Sequence, residues 1–456
     1  MRPTQSPLSS ASSLSSTALS RRAFLAASGV VGASALAACG SLTPGSSAKK
    51  SSAGPASTAV PTGKKLTLVL ADADDTTMTP GLVKAFMAKY PNITIKRQYT
   101  GWDDYLKSIN TTMSADTAPD IAQFTSGMQN LVRGRLLLDM GAYSRAYGWP
   151  KKFPGLDQIT FSDDGRTVGT GQLYGVPAGL SFEGVYYNKA KARELGLRFP
   201  PATVDDLEKM FAKAKAAGET ALVEGNLDGG LNHPFNVLLS VFMKPADREA
   251  WAFGHKGATI TGPEALKAAR TLLRWVDEGY VTPKTNGLSD NDATAAFAKG
   301  QGVFRISGNW AAAAVAKGLG DDAGYVNAPP ATRGAPVRTT GAGVYYCVSS
   351  KCDNPDVAAA FLEFAASKGA APVIAKGGFM APDAAAMPRQ SGLIGEVQQG
   401  WQGIVKDAGL EPFIQNASTT TMADTLTTQL QLLAGGKVSA EKFLSNLQQD
   451  YENYHA

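Results

Sequence analysis

The side chains of this sequence with chemistry to offer are mainly carboxylates and aromatic rings. Asp72, Asp74 and Asp75 follow a β-rich run, Lys65-Leu66-Thr67-Leu68-Val69-Leu70. They should therefore sit at the carboxyl end of a strand, where open α/β sheets bind ligands. A carboxylate there can accept two hydroxyl hydrogen bonds; its competing role is to cap the next helix. Trp102, beside Asp103, Asp104 and Tyr105, offers a ring to a ligand or a cover for a helix start, where the aspartates suit the positive dipole end. Gln123, Thr125 and Ser126 close another short strand, and Ser181 and Glu183 share one face at strand period. Two of these carboxylates placed as acid and base would make a glycosidase. Nothing in their spacing singles out such a pair.

Other chemistries find less support. The sequence has no Gly-x-Ser-x-Gly elbow, no Gly-x₄-Gly-Lys-Ser/Thr loop and no His-Glu-x-x-His pair. Three cysteines and three histidines are too few and scattered for a metal framework, and no cofactor is expected. The 456 residues are 44% hydrophobic and 18% charged, which suits two or three folded domains. The net charge of +5 drops by three, to +2, when Arg2, Arg21 and Arg22 are set aside, so nucleic acid is not indicated as a partner.

Those arginines belong to a leader. Ser20-Arg21-Arg22-Ala23-Phe24-Leu25 opens a mildly apolar run to Ala38, with positive charge upstream and small residues downstream. This is the geometry of an export signal. The paired arginines resemble a twin-arginine address, with a general secretory signal as the alternative. Leu36-Ala37-Ala38-Cys39-Gly40 resembles a lipobox, so residues 1–39 read as a signal peptide that leaves Cys39 as an acylated N-terminus. Acyl chains contribute about 0.8 kcal/mol per buried CH₂, so two chains would hold the protein at a membrane surface. Residues 40–63, rich in Ser, Ala, Pro and Gly, read as a flexible tether. Outside the cytosol Cys347 and Cys352 could form a disulfide, unless a strand holds them apart.

Positioning the candidate residues requires alternating strands and helices. After the first strand, Leu82, Val83, Phe86, Met87 and Tyr90 share a helical face, and Ile93-Thr94-Ile95 resumes extended structure. The next helix includes Tyr105, Leu106, Ile109 and Met113, and parallel α/β topology is expected. Gly184-Val185-Tyr186-Tyr187-Asn188-Lys189 is an aromatic strand leading into a helix. Thr203-Val204-Asp205-Asp206 has capping-box spacing, and Asn354-Pro355-Asp356 suits a cap and first turn. Residues 422–454 are again helical, with a break at Gly435-Gly436.

Several stretches together resemble the extracellular solute-binding proteins of ABC importers, family 1, the maltose-binding-protein-like group. They are Ala118-Pro119-Asp120-Ile121, Leu173-Tyr174-Gly175-Val176-Pro177, Tyr187-Asn188-Lys189, Ala296-Phe297-Ala298-Lys299-Gly300 and Ser307-Gly308-Asn309-Trp310. Each is weak alone; their order and spacing make the set specific. The resemblance implies an α/β, type II periplasmic-binding-protein fold, two lobes hinged about a ligand cleft. By that analogy residues 64–176 and 339–408 form the N-terminal lobe, and 177–338 and 409–456 the C-terminal lobe.

It also implies a non-enzymatic, extracytoplasmic receptor, lipid-anchored to the cell membrane and monomeric, that captures a small solute and hands it to ABC permease subunits. A sugar is the expected solute; a non-sugar solute or a secreted carbohydrate-active enzyme is the alternative. Trp310, after Gly308-Asn309, matches a position that stacks on a pyranose ring, with lobe packing as its competing role. Asn309, Asn232 and His233 are further candidates, though the favoured reading of His233 is a surface-loop residue. Phe379, in Gly377-Gly378-Phe379-Met380-Ala381-Pro382, would line the cleft or plug the lobe. Asn416 and Thr419, near the last crossing, are weaker candidates.

Overall fold

The computed structural model describes residues 56–124, 127–407 and 410–456. Cys39 and the leader, most of the tether and Ser126 with Thr125 lie outside the described residues. The last tether residues do not hang free. Ala56 and Val60 pack on the first core, and the Ser57 N–H donates to Asp356 Oδ1 at 3.2 Å.

Apolar alternation in β1 (Leu66–Asp72) and β2 (Ile93–Tyr99) buries Leu66, Leu68, Leu70, Ile93 and Ile95. The connecting helix, Met78–Lys89, covers them with Leu82, Val83 and Phe86. β3 (Ile121–Phe124) joins the other edge of β1, and β2, β1 and β3 run parallel. The rest of the sheet corrects the all-parallel expectation. β4 (Thr160–Phe161) and β5 (Gln172–Leu173) form a small separate ribbon. β6 (Gly175–Asn188), β7 (Phe304–Gly308), β8 (Ala323–Val326), β9 (Thr339–Val348) and β10 (Leu410–Glu411) complete the main sheet, ordered β2-β1-β3-β9-β6-β7, with β8 beside β6 and β10 beside β9. β9 is antiparallel to both β3 and β6, and β6 is antiparallel to β7 and β8.

β6 and β9 are the crossing strands. The first half of β6 pairs with β9 as far as Phe182–Gly341, and its second half pairs with β7 and β8. Their register slips between Pro177 and Gly179. A Cβ on Gly343 would stand 2.4 Å from Pro177 Cβ, and one on Gly341 would stand 2.4 Å from the Ser181 carbonyl oxygen, so the strands meet through glycine.

Burial divides along these strands. One core gathers β1–β3, residues 128–178 and the helices Pro355–Phe364 and Ala371–Lys376. A second gathers the helices from Val204 to Asp277 with Met422–Ala434 and Ala440–His455. A third group, Phe182, Tyr186, Val315, Tyr325, Val397 and Trp401, lies around β6 and β8. The helix Gly392–Asp407, assigned above to the first lobe, packs in this third group. Phe253 and Phe413, from segments assigned to the second lobe, instead reach into the first core. Cys347 is buried, Cys352 is half-buried, and both are free thiols.

Local capping follows sequence only in part. The Thr203 side chain accepts from the Asp206 N–H, whereas Asn354 makes no side-chain cap.

Candidate functional site

The carboxyl ends of β1 and β2 gather the first group of polar residues. Asp72 is fully buried and accepts from Arg97 Nε at 2.8 Å and Nη2 at 2.7 Å. Asp74 accepts the Thr76 and Thr79 N–H groups at 2.8 and 2.6 Å, so it holds the start of helix Met78–Lys89. Asp75 is exposed. Gln123 is buried, and its Oε1 accepts the Ala73 N–H at 3.0 Å, which fixes the turn after β1. Asp120, just before β3, accepts the Val69 N–H in the middle of β1 at 2.8 Å. Asp75 and Trp102, 37% exposed at the start of helix Trp102–Ser114, are the members of this group open to a solute. Exposed Tyr99 lies nearby in sequence with the Arg97 guanidinium 5.1 Å from its ring.

The second group lies where β6 meets β7. The Glu183 side chain is fully buried, and its Oε1 is 2.5 Å from His233 Nδ1. His233 stands on the helix Asn232–Phe242, not in a surface loop, and its side chain is 12% exposed. Its Nε2 lies 3.6 Å from Asp290 Oδ1, and its ring centroid lies 5.5 Å from that of Trp310. Asp290 binds Arg305 Nη2 at 2.6 Å, and Arg305 Nη1 binds Glu224 Oε2 at 3.0 Å. Arg305 also donates to Thr294 Oγ1 and to the carbonyls of Val223 and Asp290, so each of its three nitrogens is engaged. Glu183, His233, Asp290, Arg305 and Glu224 thus form one buried chain of alternating acidic and basic side chains. Its histidine, His233, is the member that lies beside the Trp310 ring.

Burial sets the baseline for every charge in this chain, and the neighbours then correct it. Burial pushes the Glu183 carboxyl up, with His233 offsetting part of the rise. Glu224 is raised to about 8 by burial, against the pull of Arg305. For Asp290 the order reverses: burial raises it, but Arg305 and His233 outweigh burial and hold it low. Burial alone would lower His233, yet the Asp290 charge and the Glu183 hydrogen bond and charge push it up to about 9.

Trp310 is half-buried and packs against both the first and third cores. Its ring lies directly on Gly308, where a Cβ would come within 1.9 Å of it, so only glycine at 308 lets the indole lie flat there. Asn309 is fully buried. Its Oδ1 accepts the Phe182 N–H at 2.9 Å, and its Nδ2 donates to the Leu180 carbonyl at 3.3 Å and the Gly378 carbonyl at 2.6 Å. Those bonds make Asn309 a clamp between β6 and the Gly378 turn. Ser181 is likewise committed, donating to the Ala342 carbonyl at 2.8 Å, and Asn232 exchanges hydrogen bonds with the Gly229 carbonyl and Gln415. Phe379 is buried in the first core, as a plug. Asn416 lies beside a small internal cavity with Phe253 and Phe413, and Thr419 is buried and bonded to Asp450.

Asp290, Arg305 and Glu224 escaped the sequence reading. A signal was available: Val303-Phe304-Arg305-Ile306 and Ala221-Leu222-Val223-Glu224 each carry one charge in an apolar run, and a buried charge needs a partner. Among the described residues no group of three or more His, Cys, Asp or Glu could hold a metal ion, and no helix is long and apolar enough to cross a membrane. A groove of about 430 Å³ between Val204, Glu208, Phe242, Leu266 and Arg270 lies apart from all of these residues. Its charges are spent on pairs such as Arg274–Glu208 and Arg270–Glu441.

A two-lobed α/β body with a polar and aromatic cluster at its crossing strands is the architecture of solute receptors. The chain belongs to the bacterial extracellular solute-binding protein family, whose model matches residues 81–383. A lactose-binding protein from Rhizobium radiobacter is 30% identical over 258 residues, 52% of this chain and 54% of that protein. A multiple sugar-binding protein from Streptococcus mutans is 30% identical over 148 residues, 32% of this chain and 35% of its own. The chain spans about half the length, or less, of the sequence relatives it matches. A solved chitin oligosaccharide binding protein superposes with a TM-score of 0.72 at 22% identity, covering 85% of this chain and 98% of that one. That likeness establishes the fold.

Proposed function

We propose that this protein is the extracytoplasmic receptor of an ABC importer, binding a sugar or oligosaccharide between its lobes without altering it. The observation that carries the reading is Trp310: a half-exposed indole laid flat on Gly308, with the His233 ring beside it. Sugars present apolar C–H faces and a rim of hydroxyls, so a flat ring flanked by polar donors and acceptors suits them. Trp310 is the platform, His233 supplies a polar edge, and Asp75 and Trp102 face the solute from the first lobe. Sugar-binding relatives support the solute class.

The lobes divide at β6 and β9, with the helix Gly392–Asp407 assigned to the second lobe on the strength of its packing. The molecule acts as a monomer, anchored through acylated Cys39, and delivers its solute to permease subunits in the membrane. Closure follows from differential affinity: solute shifts the lobes only as far as it binds the closed form more tightly.

Thermal-shift measurements with lactose, raffinose and N,N′-diacetylchitobiose, set against proline and sorbitol, test the reading, because bound solute stabilises by RT ln(1 + [L]/Kd). At least one sugar should raise Tm, and Trp310→Ala should weaken its binding at least tenfold. Stabilisation by proline or sorbitol with none by a sugar would overturn the solute class; full affinity in Trp310→Ala would remove the platform.

A further inference from the structure

The buried chain behind Trp310 is larger than a binding contact requires. Arg305 is surrounded by Asp290, Glu224, Thr294 and two carbonyls, and Asp290 in turn approaches His233. A Cβ on Gly230 would stand 2.9 Å from Asp290 Oδ1, so the helix Asn232–Phe242 can approach Asp290 this closely because residue 230 is glycine. His233 is thereby held between two carboxylates, Glu183 on Nδ1 and Asp290 near Nε2. Only the Nδ1 edge makes a hydrogen bond; the 3.6 Å gap at Nε2 is beyond hydrogen-bond length.

We propose that Asp290, steadied by Arg305, is a positioning residue that keeps His233 protonated, so that Nε2–H donates to an acceptor oxygen of a neutral polyhydroxyl solute lying on Trp310, and that affinity falls when this proton is lost. The inference rests on the receptor function proposed above. The charged groups facing His233 from each neighbouring element are consistent with it. Glu183 comes from β6, Asp290 from the helix Asp290–Ala298, Arg305 from β7 and Glu224 from the segment before Gly225. Arg248, on the helix Pro245–Ala252, acts on Glu183 from behind. Burial raises Glu224 to about 8 and pushes Glu183 up as well, while Arg305 and His233 hold Asp290 low, so Asp290 is the carboxylate whose charge is kept beside His233. A charge-assisted donor also binds an oxygen more strongly than a neutral one does.

The test is a pH series from 6 to 10.5 on the purified protein, by calorimetry, with whichever of lactose, raffinose or diacetylchitobiose stabilises it most. A parallel titration of the imidazole proton resonances needs no sugar, and with three histidines in the chain, comparison with His233→Gln assigns the signal. Wild-type Kd should hold constant to about pH 8 and weaken at least fivefold by pH 10.5. His233→Gln should start weaker and stay flat within twofold. In Asp290→Asn both the Kd limb and the imidazole midpoint should move down by at least one pH unit. Binding that is flat with pH in wild type, or a midpoint unmoved by Asp290→Asn, overturns this inference and leaves the receptor reading standing. Failure of every sugar to bind wild type overturns the receptor reading, and this inference with it. If Asp290→Asn does not fold, wild type against His233→Gln decides the question.

Discussion

Removing the Arg305 side chain should cost this fold more than almost any other single polar substitution. In Arg305→Ala, Asp290 and Glu224 lose the cation that balances them, while Thr294 Oγ1 and the Val223 carbonyl lose a donor. The Arg305 and Glu224 side chains are both fully buried, so water cannot take the guanidinium's place without reorganisation. Breaking one side of such a pair typically costs about 3–5 kcal/mol. Roughly 400 ordered residues give an unfolding entropy of about 0.8 kcal/mol per degree, so Tm should fall by about 4–6 °C. Scanning calorimetry, with urea titration as a check on the midpoint, would measure it. The informative control is Arg305→Met combined with Asp290→Asn and Glu224→Gln, which removes all three ionisable side chains and keeps the volume. It should recover at least half of the loss, because the penalty lies in stranded carboxylates rather than in a missing attraction. A loss below 1 kcal/mol in Arg305→Ala, or a triple variant no more stable than the single one, would refute this reasoning.

Gly308→Ala should displace the Trp310 ring, whose atoms occupy the position of the new Cβ; calorimetry should show sugar binding weakened at least tenfold while circular dichroism stays native. Asn309→Ala strips the Phe182 N–H and the Gly378 carbonyl of the Asn309 side chain, while the Leu180 carbonyl keeps the Met380 N–H, and should cost about 2 kcal/mol by urea unfolding, at roughly 1 kcal/mol for each buried group that loses its partner. Alkaline pH should destabilise the protein even without solute. His233 and Glu224 both have folded pKa values raised above their ordinary ones, so each contributes stability at low pH and loses it as pH rises through about 9 and about 8 respectively. Tm should therefore fall between pH 7 and 9.5, and fall less in His233→Gln; equal slopes in the two proteins would rule out the histidine's share.

Much of the first lobe was legible because its elements are local. The helix Met78–Lys89 and its flanking strands announce themselves by apolar period, and Thr203 by its distance from Asp206. What stayed hidden depends on residues far apart. β9 pairs with β3 and β6 across long stretches of chain, and nothing in the local pattern of either strand states its direction. The same holds at the site. Trp310 carries a visible motif, whereas Asp290 and Arg305 acquire their meaning only from each other and from Glu224 and His233. The aspartates after β1 show the reverse: their position was legible, but Asp72 and Asp74 serve Arg97 and the helix start.

The glycine-lined crossing of β6 and β9 also bears on how the chain is made. The Ser181 hydroxyl reaches a carbonyl 161 residues further along, and most of the second lobe lies in the interval. During synthesis β6 emerges long before its partner, so the first lobe's sheet stays unfinished until the inserted helices have condensed and drawn the two ends together. Non-local pairing of this kind slows folding. A lesion deep in the inserted helices would thus delay maturation of a distant half of the molecule whose own residues are unchanged.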